Sequence, residues 1–450
     1  MLTTSATLAA YTFLLTATLR LGCTGAPESI YYAQQAVLAL GFLSYALSRR
    51  VLREPKPRKA LAASAIAVYA ISAAALFLTR NPYAALAAVF CIGHLGGLVY
   101  HRLSETLNRN KRLGVTIGAG CAAAYILQFA FQSPGTTAFL PAAMLTAFVA
   151  LVWLLRRKEE LPVEQQEAFT AEPQDGDLTV SLACACVVTA ALVMLGCWYD
   201  GYLAQMQAAT DYGAYGWPRL LLVPFCLLFG FLGDWKGGKY LSLAAFCVAL
   251  VTLLNPVLAL GGGSYDLNLC LFYVGVAAAI SYYHITFCRL APQTRHPALW
   301  AGMGRVIDAT MVAALGLMRY SRSPAAVATA FDLAILAVIA VVLMLYGDLS
   351  LAPRGETKPV FAPAGAPAAF PAGEDIAVTR LSERYGLSGR ETEVLREWLY
   401  TEDTRSVIAG RMFISPDTLH GHINALYRKT GQHTRKELRD LARELSGEGS

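Results

Sequence analysis

Hydrophobic and polar positions divide this chain into two unlike parts. Up to Asp348 the sequence is a succession of apolar blocks, each about twenty residues long, separated by short polar or basic loops. From 376 to 443 the apolar residues instead recur at helical spacing among many charges, and cysteine is absent. A hydrocarbon core takes about 20 apolar residues of helix to cross. Twelve stretches meet that length: 3–21, 30–48, 60–79, 83–101, 113–132, 138–155, 178–198, 217–234, 240–260, 267–288, 298–318 and 325–346. The pattern predicts an all-α chain. A twelve-helix transmembrane bundle occupies residues 1–347, a linker 348–375, and a small four-helix domain 376–450.

Composition supports the division. The chain is 56% hydrophobic and only 15% charged, with a mean hydropathy of +0.45. Soluble domains average about 25% charge, so most of this chain is expected in lipid. No charged segment precedes the first apolar run, which therefore reads as a spanning helix and not a cleaved signal. All 10 cysteines lie between Cys23 and Cys288, without a CxxC pair or a Cys/His cluster at metal-ligand spacing. Neither a disulfide framework nor a metal centre is expected, and no cofactor is implied.

The loops test the span count independently. With the N-terminus inside, the inside connections carry Arg49, Arg50, Arg53, Lys56, Arg58, Lys59, Arg102, Arg109, Lys111, Arg112, Arg156, Arg157, Lys158, Lys236, Lys239, Arg289 and Arg295. The outside connections carry Arg20, Arg80, Arg219, Arg319 and Arg322. Seventeen against five is a positive-inside bias, and an even number of spans returns the C-terminus to the cytoplasm. The longest inside loop, 156–177, is polar and acidic, and it splits the spans six and six. A second soluble stretch, 351–373, is rich in Pro, Ala and Gly and reads as a semi-stiff tether.

Two groups of six spans joined by a long cytoplasmic loop resemble the plan of the major facilitator superfamily. The sequence GFLGDWKGGK at 230–239 is similar to that family's GxLaDrxGrkxx motif and falls between the eighth and ninth spans. The resemblance implies a gate-locking role for Gly230, Asp234 and Gly237. The corresponding loop of the first half, SRRVLREPKPRK, is basic but lacks the glycine–acidic signature.

Few ionisable groups fall at membrane depth. Arg305 and Asp308 are three residues apart, on one face of the eleventh span. His94 and His284 sit well inside spans, and Gln34, Gln35 and Gln128 add hydrogen-bonding capacity. Two readings are open: a cavity between the halves for an unknown small molecule, or hydrogen bonds that hold the bundle together.

In the C-terminal part, Ser388 and Glu391 form the pattern of a capping box opening a helix lined by Val394, Leu395 and Trp398. A second short helix is expected over 405–412, followed by a turn at Phe413–Ile414. Ser415 then caps a third helix with Pro416 at its first position. Leu419, Ile423, Leu426 and Tyr427 recur at i, i+4, i+7 and i+8, predicting one buried stripe. The opposite face presents Asp417, His420, Gly421, Asn424 and Arg428, and Gly431 ends the helix. A last helix over 434–444 offers Leu438 and Leu441 for packing or pairing. A short helix, a turn and a helix with a polar outer face make the helix-turn-helix arrangement.

The pattern LSxRExEVL, then IA, then FISxxT, then LYRKxGxHTRxEL is similar to the LuxR-type domain over about sixty residues. With the twelve spans, the chain resembles membrane-bound LuxR-type regulators. The resemblance implies binding to double-stranded DNA as a homodimer, with Thr418, His420, Gly421, His422, Asn424, Arg428, Lys429, Arg435 and Lys436 as DNA-facing candidates. An added Asp417, which would face phosphate, departs from the family, and so do three further features. The turn after the first helix reads TEDT where a glycine is usual, His420 replaces the usual lysine, and Ala425 stands where Asn is common. Between Arg405 and Arg443 eight Lys/Arg face three acidic residues, a balance suited to phosphate contacts.

The function expected from all this is a one-component transcriptional regulator of the bacterial inner membrane, with cytoplasmic termini, sensing a small molecule or membrane state. The alternative is a major-facilitator-type transporter with a cytoplasmic regulatory domain. No phosphate-binding loop, metal cluster or nucleophile constellation points to an enzyme.

Overall fold

The computed structural model describes residues 2–23, 28–52, 54–107, 112–132, 137–156, 175–209, 217–255, 258, 265–319, 323–346, 372–400, 408–409, 412 and 416–446. Among them all regular structure is helical. The chain forms two compact units, Met1–Pro353 and Arg354–Ser450. Residues 157–174 of the predicted acidic loop 156–177 and most of the predicted tether lie outside the described residues, as do the TEDT turn, the Phe413–Ile414 turn and the Ser415 cap.

The first unit contains α1 (Leu2–Cys23), α2 (Glu28–Val51), α3 (Pro55–Thr79), α4 (Pro82–Leu107), α5 (Leu113–Gln132) and α6 (Leu140–Arg156). It continues with α7 (Asp175–Ala209), α8 (Leu222–Asp234), α9 (Lys239–Thr252), α10 (Tyr265–Leu290), α11 (Met303–Leu317) and α12 (Ala325–Tyr346). Nine helical segments among the described residues are long and apolar enough to cross a membrane. Three predicted spans are represented by shorter helices: α6 with 17 residues, α9 with 14 and α11 with 15.

Several differences from the predicted bounds have a local cause. The eighth span begins as a 3-10 turn, Trp217–Leu221, where Pro218 removes a backbone donor. The eleventh is broken at Ala301–Gly302, between a four-residue helix and α11. Glycine is a weak helix former, and a Cβ at Gly302 would stand 2.8 Å from the ring of Phe42. α7 runs to Ala209, beyond the predicted apolar stretch, through the helix-favouring run AQMQAA. The α3–α4 turn is defined by Arg80 in a left-handed C-cap (φ 53°), whose N–H reaches the carbonyl of Leu76, and by Pro82 opening α4.

Packing follows the hydrophobic surface of each helix. α1 is buried without interruption from Leu8 to Leu15, as a helix enclosed by others must be. α3 buries only the stripe Ala65, Tyr69, Ser72, Leu76, and leaves Ile71 and Leu78 exposed. α1 packs on α4, α5 and α6, while α2 and α3 pack on α4. Six helices later the same pairings recur: α7 packs on α10, α11 and α12, while α8 and α9 pack on α10. The two sets join through α2 against α11 and α5 against α8.

The α5–α8 seam is the closest of these crossings to be explained by residue size. A Cβ at Gly114 would fall 2.2 Å from the carbonyl oxygen of Gly230, and one at Gly118 would fall 2.4 Å from that of Cys226. Only hydrogen at these positions lets the backbones meet, the small-residue solution to packing apolar helices.

The second unit contains α13 (Ala372–Tyr385), α14 (Gly389–Tyr400), α15 (Pro416–Thr430) and α16 (Arg435–Ser446). Of the predicted helix 405–412, only Ile408 and Ala409 are described in helical conformation, with Met412 in the turn after them. All three are buried. The core comprises Val378, Leu381, Val394, Leu395, Ile408, Leu419, Ile423, Leu426 and Leu438 among others. α13 is an element that the periodicity does not predict. Its Ala377, Val378 and Leu381 pack toward α16 and α14, so Leu438 serves the domain's own core.

Candidate nucleic-acid interface and buried polar sites

In the second unit, local capping sets the orientation of α15 relative to α14. The predicted capping box forms: the N–H of Ser388 donates to Glu391 Oε2 at 2.7 Å, and the N–H of Glu391 donates to Ser388 Oγ at 3.3 Å. Lys429, near the end of α15, donates to the same Glu391 Oε2 at 2.6 Å and to the carbonyl of Gly386 at 3.2 Å. Lys429 thereby staples α15 to the start of α14. Its ammonium, together with the Ser388 N–H, holds the Glu391 carboxyl down at about 2.

This lowering has a stability consequence. A carboxyl whose folded pKa lies below its ordinary 4.5 contributes stability above that value, and loses it as pH falls toward about 2. The isolated unit 372–450 is expected to become steadily less resistant to denaturant across that window. Glu391→Gln should flatten the dependence and remove about 1.5–3 kcal/mol at neutral pH. A urea unfolding free energy with the same dependence on pH in the two proteins would exclude this role.

Arg435 is also engaged within the unit. Its Nε donates to the Trp398 carbonyl at 2.6 Å, and its guanidinium lies 4.3 Å from the centroid of the Trp398 ring. Trp398 Nε1 donates to Tyr427 OH at 3.1 Å, tying α14 to α15 a second time. These contacts fix one face of α15, which buries Leu419, Ile423 and Leu426 completely. The other face presents Thr418, His420, Gly421, Asn424 and Arg428 to solvent, with His422 half-buried beside them. Lys436 is exposed at the start of α16. Asn424 Nδ2 lies 3.2 Å from His420 Nε2, and a Cβ built on Gly421 would meet no described atom within 4 Å beyond its chain neighbours and the helix's own backbone.

The described polar residues of the first unit gather in several separate clusters. Arg305 Nη1 donates to Asp308 Oδ2 at 2.5 Å and to Tyr283 OH at 3.1 Å, and Tyr283 OH lies 3.3 Å from the same carboxylate oxygen. His284, adjacent to Tyr283 on α10, meets Tyr100 OH of α4 at 2.7 Å. Arg305, Asp308 and His284 are therefore brought together, through tyrosines that charge-counting along the sequence misses. His94 is not part of this cluster. Its Nδ1 lies 2.9 Å from Ser44 Oγ, and its ring packs against Tyr45, whose OH meets His101 Nδ1 at 3.2 Å.

Two further clusters join α5 to α8 and its approach. At one end Gln128 Nε2 donates to Thr16 Oγ1 at 2.7 Å, and its Oε1 accepts from Arg219 at 2.6 Å. At the other, Asp234 caps α5: its two oxygens accept from the N–H groups of Gly114 (2.7 Å) and Val115 (2.8 Å). Arg289 Nη2 completes the site, 3.4 Å from Asp234 Oδ1 and 3.0 Å from the Gly233 carbonyl. Gly237 lies in the 3-10 turn Trp235–Gly238 that follows. Gln34 and Gln35 are buried in α2, with Gln34 Oε1 accepting from Cys23 Sγ at 3.4 Å.

Among its described residues the second unit presents a helix, α15, with one face buried against α14 and the other polar and exposed. Residues 386–442, which include the capping box, α15 and most of α16, match the family model described as bacterial regulatory proteins, luxR family. That family is regulatory and not enzymatic. A search of curated proteins finds no match to the chain.

Proposed function

We propose that the protein is a membrane-anchored one-component transcription regulator. In this reading the first unit spans the bacterial inner membrane with both termini in the cytoplasm and senses a small molecule or membrane state. The second unit binds double-stranded DNA, with two copies pairing on two half-sites. The observation that carries the reading is the LuxR-type match on residues 386–442 in the same chain as nine helical segments fit to cross a membrane. The charge bias of the loops supports the orientation. Recurrence of the same helix pairings six helices apart supports a six-plus-six, major-facilitator-like bundle.

The test is duplex binding by residues 372–450 and by the full-length protein in nanodiscs. Both are expected to bind at low salt, with affinity falling by a log–log slope of about −0.9 per phosphate neutralised. Arg428→Ala should reduce the slope by about one contact. No duplex binding by either protein at low salt would refute the regulatory reading.

The second reading is a secondary transporter carrying a regulatory domain. It is favoured by the cap that Asp234 places on α5 at the gate motif, and by the charged pair Arg305–Asp308 within the bundle. Uptake into proteoliposomes that Arg305→Ala abolishes would support it.

A further inference from the structure

The C-terminal ends of α2 and α4 and the start of α3 gather positive charge on the face that the loop-charge bias assigns to the cytoplasm. α2 and α3 both pack on α4. Their described residues at this end include Arg49, Arg50, Lys56, Arg58, Lys59 and Arg102, against two carboxylates, Glu54 and Glu105. Arg49, Arg58 and Arg102 all act electrostatically on one side chain, Tyr45 of α2, so charges from three helices converge there. Glu105 is engaged by His101, whose Nε2 stands 3.3 Å from its Oε1. Arg58 Nε donates to the Leu52 carbonyl at 2.5 Å, and Arg102 Nη1 donates to the Leu155 carbonyl at 2.5 Å. Neutral carbonyls position these two guanidiniums without cancelling their charge.

Apolar surface leads up to the charge. On α2, Leu40, Leu43, Leu47 and Val51 are exposed at helical spacing, a stripe that ends beside Arg50. On α3, exposed apolar side chains begin with Leu61, two residues after Lys59, and continue at Val68. A hydrocarbon-facing stripe that ends in fixed positive charge complements both parts of a phospholipid, its acyl chains and its phosphate. A soluble anion would use the charge alone.

We infer that this end of α2, α3 and α4 is a binding site for the headgroup of an anionic phospholipid, whose acyl chains lie along the exposed stripes. The inference rests on the membrane-spanning reading of the first unit, and it specifies the membrane state that the unit meets as the anionic lipid content of the inner leaflet. Orientation by charge bias needs only basic residues somewhere in the inner loops. It does not require arginines of three helices to converge beside an apolar stripe. Each basic residue near an anionic surface strengthens attraction by about fivefold, so three together contribute about 100-fold.

The experiment is native mass spectrometry of the full-length protein in a non-ionic detergent, titrated with phosphatidylglycerol or phosphatidylcholine, with glycerol 3-phosphate as the soluble competitor. Wild type is compared with Arg50→Gln/Lys56→Gln/Lys59→Gln, three exposed positions at the site. A control, Arg156→Gln/Lys236→Gln/Arg295→Gln, removes the same charge from exposed positions elsewhere on that face. Wild type is expected to retain phosphatidylglycerol in preference to phosphatidylcholine, and glycerol 3-phosphate should not displace it. The first triple variant should bind phosphatidylglycerol about 100-fold more weakly, whereas the control should bind it as wild type does.

Equal losses in the two triple variants would overturn the site and leave a general attraction of the basic face. Equal retention of the two lipids by wild type would overturn it as well, and displacement by glycerol 3-phosphate would overturn the lipid as ligand. Recovery of the protein from cells in the soluble fraction, without detergent, would instead remove the membrane reading on which the inference rests. The substituted side chains are exposed, and melting unchanged from wild type in the absence of lipid shows that each variant is folded.

Discussion

Asp234→Ala is expected to cost the N-terminal unit about 3–5 kcal/mol, the range for removing one partner of a buried ion pair. The side chains of Asp234 and Arg289 are 10% and 7% exposed. The alanine variant strips the cap from the Gly114 and Val115 amides in the first turn of α5, and it takes the carboxylate partner from the Arg289 guanidinium. Both losses fall on the seam where glycines bring α5 and α8 into backbone contact. Asp234→Asn should retain part of the cap through its carbonyl oxygen and cost less than half as much. Thermal unfolding in detergent would rank wild type, Asn and Ala in that order. An alanine variant as stable as wild type would mean that the cap is not structural, and its function would have to be sought in movement between conformations.

The second large effect concerns DNA. The double variant Asn424→Ala/Arg428→Ala is expected to lose the discrete genomic sites that the tagged full-length protein recovers after crosslinking. One base contact is worth about 1–3 kcal/mol, and loss of Arg428 also removes a positive charge from the exposed side of α15. Together they should weaken specific binding by about 10²–10³-fold, enough to bring specific sites down toward the non-specific background. The core is untouched, because Leu419, Ile423 and Leu426 lie on the opposite face. Sites recovered equally by the double variant would show that α15 is not the reading helix, whatever the family match implies.

The basic residues show where sequence reasoning stops. Arg428, Lys429, Arg435 and Lys436 form one group along the chain, yet they have different surroundings. Arg428 and Lys436 stand exposed, whereas Lys429 bridges to Glu391 and Arg435 packs over Trp398. Charge is visible in a sequence, but its partner is not when it lies 37 or 38 positions away. The same limit explains the polar cluster around Arg305. Its pairing with Asp308 was legible because residues three positions apart on one helix share a face. Tyr283 and Tyr100 were invisible, because nothing in the local pattern distinguishes a tyrosine that meets a charge from one that fills space.

Elements dictated by local physics were legible from the residues alone. Apolar blocks about as long as a bilayer is thick, the Ser388–Glu391 capping box, Pro416 opening α15 and Gly431 ending it all appear at or near their predicted positions. So does the stripe of Leu419, Ile423 and Leu426, since a period of 3.6 residues determines which side chains share a face. The tertiary structure alone decided which helices meet, that α13 covers part of α16, that His94 stands apart from His284, and that Asp234 closes on the amides of α5. Those outcomes depend on groups far apart in the chain finding one another. Distance along the sequence carries no record of that, whereas hydrophobic period, capping and chain breaking act within a few residues and can be read directly.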